Sequence, residues 1–127
     1  MDDIVRISKD IRRANGLREM AKERFNSIGE LKQPYRIVEE YYEIIKELLT
    51  AVSYSMGFKI LSHKTLIEFI SKETKILDST EISLIDELRI TRNNIVYYGE
   101  KSSKEFIESR KEKIHSIINK LLREKVE

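Results

Sequence analysis

The chain of 127 residues carries 24 basic and 22 acidic side chains, and its formal net charge is +2. This length predicts a single domain over 1–127, and so balanced a charge does not by itself indicate a nucleic-acid partner. The sequence contains no cysteine, which excludes disulfides, thiolate zinc sites and cysteine nucleophiles. Its two histidines, His63 and His115, lie far apart in sequence, so we predict no metal site and no cofactor.

The hydropathy pattern argues against a membrane protein. No apolar run approaches the roughly 18 residues of a membrane span. Residues 1–4 also lack the charged and apolar regions of a signal peptide. We therefore expect a soluble, cytoplasmic protein with no membrane association.

Apolar residues recur at the three- and four-residue spacing of helices along most of the chain, and no convincing strand pattern interrupts them. The predicted helices span 3–28, 34–57, 62–75, 78–99 and 102–122. We expect the tail, 123–127, to fray. Four long helices, one short helix and short connections predict an all-α fold, an antiparallel up-and-down bundle.

The helix ends are predicted from residues that favour the first or last turn of a helix. Proline is favoured at the first helical position, serine as an N-cap, and glycine just after the last turn. Two acidic residues also stand three positions after a cap, which is the spacing of a capping box. These signals are Pro34, Ser62, Asp78 with Glu81, Gly99, and Ser102 with Glu105.

Arg92 does not fit the pattern of its helix, because it falls near the centre of an apolar face formed by Ile85, Leu88, Ile95 and Val96. A buried guanidinium is costly unless it is paired or faces a cleft.

Two further arginines, Arg18 and Arg110, lie on the apolar sides of their helices in the same way. The structural interpretation is that such arginines pair with Glu40 or Glu47 of helix two, or extend to the edge of the core. The functional interpretation is an anion site at Arg92.

The neighbours of Arg92 favour the functional interpretation. Asp86, Asn93 and Tyr97 share one helix face, and Arg89 lies beside them. An acid, an amide and a phenol next to a partly buried arginine are suited to an anion or a nucleotide. The alternative is an ordinary exposed helix face.

The histidines are assigned no such role. We expect His63 to cap or pack locally in the connection over 57–64, and His115 to be exposed on helix five. No glycine-rich phosphate loop or dinucleotide fingerprint is present.

The segment 92–99, Arg-Asn-Asn-Ile-Val-Tyr-Tyr-Gly, resembles the signature of the HEPN domain family. That signature has an arginine, often followed by asparagine, and then a histidine after four to six residues near the end of a long helix. The stretches 57–64 and 86–89 are also similar to small microbial members, and the resemblance extends loosely over 34–122.

The resemblance implies an all-α up-and-down bundle that forms a homodimer, with the motif residues meeting in a cleft between two protomers. Many members of the family are metal-independent endoribonucleases. Some are toxins held in check by a nucleotidyltransferase that can modify a tyrosine near the motif. Others have lost catalysis and serve as binding or regulatory modules.

Carried onto this chain, the resemblance assigns Arg92 to the motif arginine and Asn93 to the amide that follows it. The histidine positions for spacers of four, five and six residues are occupied by Tyr97, Tyr98 and Gly99. The chain therefore departs from the family pattern at the residue that the family uses for proton transfer.

The expected chemistry is attack of a ribose 2′-hydroxyl on the adjacent phosphorus, which needs a base, an acid and a cation. An arginine supplies the cation through bidentate bonds to phosphate, and a histidine suits the proton transfer. A tyrosine has a reference pKa of about 10 and is a poor base near neutrality. Loss of a general base typically costs about 10²–10⁴-fold in rate.

Three interpretations follow. The first is a dimeric RNA- or nucleotide-associated module of toxin–antitoxin type, with weakened or absent endoribonuclease activity, that binds through Asn93, Asp86 and Tyr98 beside Arg92. The second is an active metal-independent endoribonuclease toxin whose catalytic residues are Arg92 and Tyr97. The third is a generic helical protein-interaction domain. In the first two, the partners are a second copy, RNA or a nucleotide, and a nucleotidyltransferase-type antitoxin.

Overall fold

The computed structural model describes residues 3–124, which are 75% helical. Within these residues the chain forms five α-helices, a short 3₁₀ turn at Ile28–Glu30 and a small two-stranded sheet. The helices are α1 (Ile11–Asn26), α2 (Pro34–Ser55), α3 (His63–Glu73), α4 (Ser79–Tyr98) and α5 (Lys104–Arg123). The strands are β1 (Ile4–Arg6) and β2 (Phe58–Ile60), which pair antiparallel with Ile4 opposite Ile60.

The prediction of a first helix over 3–28 is wrong at its start, and the fold is mostly helical rather than all-α. Residues 4–6 form β1, and α1 begins only at Ile11, where the Asp10 side chain accepts a hydrogen bond from the Arg13 amide. The amides of Ile7 and Asp10 donate to the carbonyl oxygens of Gly57 and Tyr54, at 2.9 and 3.0 Å. These long-range bonds to the end of α2 outweigh the local helical periodicity.

Gly57 allows this approach of the N-terminal segment. Its φ of +89° lies in the left-handed region, and a Cβ there would be 3.0 Å from the Ile7 carbonyl oxygen. Glycine meets both demands because it has no side chain.

Helix α2 is the centre of the core, and it begins at Pro34 as predicted. It packs against each of the other four helices and against β2. Its buried apolar residues recur along most of its length, so it faces neighbours on several sides. They are Val38, Tyr41, Tyr42, Ile44, Ile45, Leu48, Leu49, Ala51 and Val52.

Most of the predicted helix ends are confirmed. Ser62 accepts a hydrogen bond from the Thr65 amide, and Asp78 with Glu81 forms the predicted capping box. Gly99 ends α4 in the left-handed conformation.

The start of α5 is one residue later than predicted. Ser103, not Ser102, caps this helix, and its hydroxyl accepts a hydrogen bond from the Phe106 amide at 3.1 Å. Two adjacent serines offer the same side-chain acceptor, and the choice between them depends on where the connection from α4 ends. Most of the tail that was expected to fray, 125–127, lies outside the described residues. In the part of the chain that the structure covers, no helix is both long enough and apolar enough to span a membrane.

Candidate anion-binding site at Arg92

Arg92 is half-buried on α4 beside the ring of Tyr42, which comes from α2 and is buried. Its guanidinium carbon lies 6.0 Å from the centroid of that ring, and Nη1 donates to Oδ1 of Asn93 at 3.2 Å. No carboxylate oxygen of residues 3–124 lies within 4.0 Å of its nitrogens. Arg92 is therefore a partly desolvated cation without an acidic partner.

The other two arginines on apolar faces have structural partners, although not the predicted ones. Arg18 donates to the carbonyl oxygens of Leu121 and Leu122 at the end of α5, at 3.1 and 2.6 Å. Arg110 forms two bonds with the Glu87 carboxylate, at 2.7 and 3.0 Å. The prediction that Glu40 or Glu47 would pair with these arginines is wrong.

Glu40 and Glu47 form ion pairs with Arg24 instead. Arg24 Nη1 lies 3.2 Å from a Glu40 oxygen, and its Nε lies 3.2 Å from the buried Glu47. Burial raises the pKa of Glu47, although the Arg24 charge opposes this effect. Arg24 reaches both carboxylates from α1, so neither is left for Arg92.

Four charges near Tyr42 and His63, the ring residues beside Arg92, form ion pairs with each other. Lys46 lies 2.7 Å from Glu43, one turn apart on α2, and Arg89 Nε lies 2.9 Å from Asp86 on α4. These two pairs cancel within each helix, and Arg92 takes part in neither of them.

The structure separates the predicted site residues into two groups. Asn93 contacts Arg92, and Asp86 is bound to Arg89 on the same helix. Tyr97 and Tyr98 are 69% and 78% exposed on the last turn of α4. In residues 3–124 neither hydroxyl forms a hydrogen bond with another side chain, so the tyrosines are accessible but are not held against Arg92.

The predicted apolar face of α4 is correct except at its end. Ile85, Leu88 and Ile95 are buried, whereas Val96 is 45% exposed. The end of α4 extends beyond the core, which leaves Val96 and the two tyrosines after it on the surface.

Sequence reasoning missed His63. It is the first residue of α3, and its ring centroid lies 5.7 Å from that of Tyr42. Tyr42 thus contacts Arg92 from α4 and His63 from α3 through one ring. No local pattern indicates this contact, because it joins residues of three different helices.

Burial and the nearby charges favour the neutral forms of His63 and Tyr42 beside the Arg92 guanidinium. Burial lowers the pKa of His63, the positive charges of Lys46, Arg92 and Arg89 lower it further, and Glu43 opposes them. Burial raises the pKa of Tyr42 to about 12 against the charges of Arg89 and Arg92. At neutral pH, His63 is uncharged with a free lone pair, and Tyr42 is a protonated phenol.

We call Arg92, Asn93, Tyr42, His63 and Arg89 the Arg92 cluster. Of these residues, Arg92 lines an open groove of about 410 Å³ between α2 and its neighbours. This groove contains mixed charges, from Arg24, Arg36 and Arg92 and from Glu30, Glu39, Glu40 and Glu43. Because its carboxylates repel anions, the attraction for a phosphate is concentrated at the arginines that lack a partner.

His115, the second histidine, is structural. It was predicted to be exposed, but it is half-buried and its Nε2 lies 2.7 Å from the Tyr41 hydroxyl. Its ring also packs edge-on against Phe25. These contacts of His115 involve Tyr41 and Phe25 and no member of the Arg92 cluster. His63 is therefore the histidine of the cluster.

The described residues do not group three or more His, Asp or Glu side chains in a way that could hold a metal ion. Comparisons with protein-family models, with curated proteins and with solved structures gave no match. The likeness to the HEPN signature therefore stays a prediction from residues 92–99.

Proposed function

We propose that this chain is a HEPN-like module that binds RNA by placing a backbone phosphate against Arg92. The observation that carries the proposal is the half-buried Arg92 guanidinium without a carboxylate within 4.0 Å in residues 3–124. A partly desolvated, unpaired charge costs free energy. A phosphate removes this cost through two parallel charge-assisted bonds, which suit the planar guanidinium.

Single-stranded RNA fits the surroundings of Arg92 better than a free anion does. Tyr97 and Tyr98 are exposed on the next turn of α4, and exposed aromatic rings stack on unpaired bases. Arg36, also exposed, lines the same groove and offers a second phosphate contact. These features support a ligand that carries both a backbone and bases.

Cleavage that depends on Tyr97 is expected to be weak or absent. No described side chain forms a hydrogen bond with the Tyr97 hydroxyl, so it lacks a positioned proton acceptor. A general base contributes about 10²–10⁴-fold to rate, and Tyr97 in this setting does not replace a histidine.

The proposal extends to the assembly that the resemblance implies. We propose an antiparallel up-and-down bundle that forms a homodimer in the cytoplasm. Val96, Tyr97 and Tyr98 are exposed at the end of α4, and a second copy would cover part of this apolar area. The accessible tyrosine hydroxyls also suit modification by a nucleotidyltransferase-type partner in a toxin–antitoxin pair.

Replacing Arg92 with alanine tests the binding proposal. We expect the affinity for a random-sequence single-stranded RNA pool to fall by about 10–100-fold, because hydrogen bonds between charged groups contribute about 1.5–3 kcal/mol. The dependence of the binding constant on salt should also weaken by about one phosphate contact. Fluorescence anisotropy at several salt concentrations measures both quantities.

The matched control is Arg12→Ala, which removes the same charge from an exposed site on α1. We expect it to leave RNA affinity nearly unchanged. Arg92→Ala should also leave the free energy of unfolding unchanged or raise it, because an unpaired charge is removed. Equal affinities of the two variants, or a loss of about 3–5 kcal/mol of stability in Arg92→Ala, would contradict the proposal.

A further inference from the structure

A second pocket lies between the start of α2 and the end of α4. It is open to solvent and has a volume of about 430 Å³. Tyr35 and Glu39 line it from α2, Ile95 and Val96 line it from α4, and Gly99 lines it where α4 ends. We call it the Tyr35 pocket. One aromatic ring, two aliphatic side chains and one carboxylate are suited to a flat ligand with a polar edge.

The Tyr35 pocket adjoins the groove that Arg92 lines. Glu39 lines both of them. On α4, Arg92 lies four residues before Val96, and residues at this spacing are neighbours on the surface of a helix. A phosphate bound by Arg92 would therefore lie next to the Tyr35 pocket, close enough for a base of the same RNA strand to enter it.

Glu39 is a half-buried carboxylate without a cation. No basic nitrogen of residues 3–124 lies within 4.0 Å of its oxygens, although Arg24, Arg36 and Arg92 line the same groove. Glu39 on α2 and Arg92 on α4 are thus opposite charges that share a groove and form no ion pair. A ligand that has both an anionic group and a pair of hydrogen-bond donors would satisfy the two residues at once.

A carboxylate in such a pocket selects among the four RNA bases, because an ionised carboxylate only accepts hydrogen bonds. Guanine carries two adjacent donors on its Watson–Crick edge, N1–H and the N2 amino group, which match the two carboxylate oxygens. Adenine and cytosine have a ring-nitrogen acceptor beside their amino group. Uracil has one N–H between two carbonyl oxygens. The carboxylate therefore favours guanine over the other three bases.

We propose that the Tyr35 pocket binds a guanine base of single-stranded RNA, with Glu39 accepting hydrogen bonds from N1–H and the N2 amino group and with Tyr35 stacking on the base. The Tyr35 side chain is 38% exposed, so its ring is accessible. This inference rests on the proposed RNA binding at Arg92. It adds a base preference, which a phosphate contact cannot supply.

The test uses short 2′-O-methyl oligouridines that carry one central guanosine, adenosine or inosine. The methyl group blocks the 2′-oxygen, so the strand cannot be cleaved during the measurement. We expect the wild-type protein to bind the guanosine probe about 10–100-fold more tightly than the adenosine probe, because a bidentate contact to a base discriminates by about this factor. Inosine keeps N1–H and lacks the amino group, so its affinity should lie between the two. Fluorescence anisotropy gives the three dissociation constants.

Glu39→Gln distinguishes base recognition from a structural role. A glutamine amide offers one acceptor and one donor, which match adenine better than guanine. We expect the ratio of guanosine to adenosine affinity to fall by about tenfold or more. This ratio is the readout, because removal of a negative charge strengthens the binding of every RNA probe. The loss of a merely structural contact would leave the ratio unchanged.

Two further variants serve as controls. Glu112→Gln removes the same charge from an exposed site on α5, and its affinity ratio should stay close to that of the wild-type protein. Tyr35→Ala should weaken the binding of all three probes by a similar factor of about tenfold, because stacking on an aromatic ring tolerates any base. Circular dichroism should confirm that all variants are folded.

Several results would overturn the inference. Binding that depends on Arg92 but is equally tight for guanosine and adenosine probes would reject the base preference and leave the proposed function intact. A guanosine preference that persists in Glu39→Gln would reject the role of Glu39. Failure of the wild-type protein to bind any of the probes would reject both proposals.

Discussion

Replacing Ile85 with alanine is expected to lower the free energy of unfolding by about 2–5 kcal/mol. Ile85 lies on α4 and is fully buried in the core cluster of the chain. Alanine removes three buried carbons and leaves a cavity that closely packed neighbours cannot fill completely. Chemical denaturation followed by circular dichroism gives the free energy directly.

The chain offers a matched control for this substitution on the same helix. Ile90 is 48% exposed, so Ile90→Ala removes the same atoms without opening a cavity. Its effect should stay within about 0.5 kcal/mol. Similar losses in the two variants would mean that α4 does not pack by the face that Ile85, Leu88 and Ile95 define.

The second large effect is expected from replacing Lys120 with methionine. The Lys120 ammonium lies 2.8 Å from Oε1 of Glu81, whose side chain is only 3% exposed. Methionine keeps much of the aliphatic stem but leaves this carboxylate buried without its cation. The free energy of unfolding should fall by about 1–3 kcal/mol, because the buried carboxylate loses its charged hydrogen-bond partner.

Lys113→Met on the same helix is the control, because Lys113 is exposed. Its substitution should change stability by no more than about 0.5 kcal/mol. The double variant Lys120→Met with Glu81→Gln should recover part of the loss, because it removes the stranded charge while glutamine can still accept the Asp78 amide bond of the capping box. No difference between the two lysine variants would contradict a structural role for the pair.

Local signals predicted the helical part of the fold. Pro34, the Asp78–Glu81 capping box and Gly99 act within one turn of their own helices, and the structure confirms all three. The failure at residues 4–6 was set by long-range contacts. Residues 4–6 are a strand because β2 pairs with them and because the end of α2 accepts their neighbours' amide bonds, and no periodicity in 3–28 contains that information.

The candidate site was also predictable only in part from the sequence. The helical wheel identified Arg92 as a misplaced charge, and its half-buried position agrees with that reasoning. Whether Arg92 has an acidic partner depends on which carboxylates form ion pairs with Arg24, Lys46 and Arg89. The position of His63 was unpredictable, because only the packing of α3 and α4 on α2 brings it to the Tyr42 ring that Arg92 also contacts.

The most direct test of a phosphate site at Arg92 is an NMR titration of the ¹⁵N-labelled protein with a 2′-O-methyl RNA pool. The Nε–Hε signals of arginine side chains report on each guanidinium separately. We predict that the Arg92 signal shifts and saturates, while Arg18, bound to the carbonyl oxygens of α5, does not respond. Saturable binding that leaves the Arg92 signal unmoved would contradict the account.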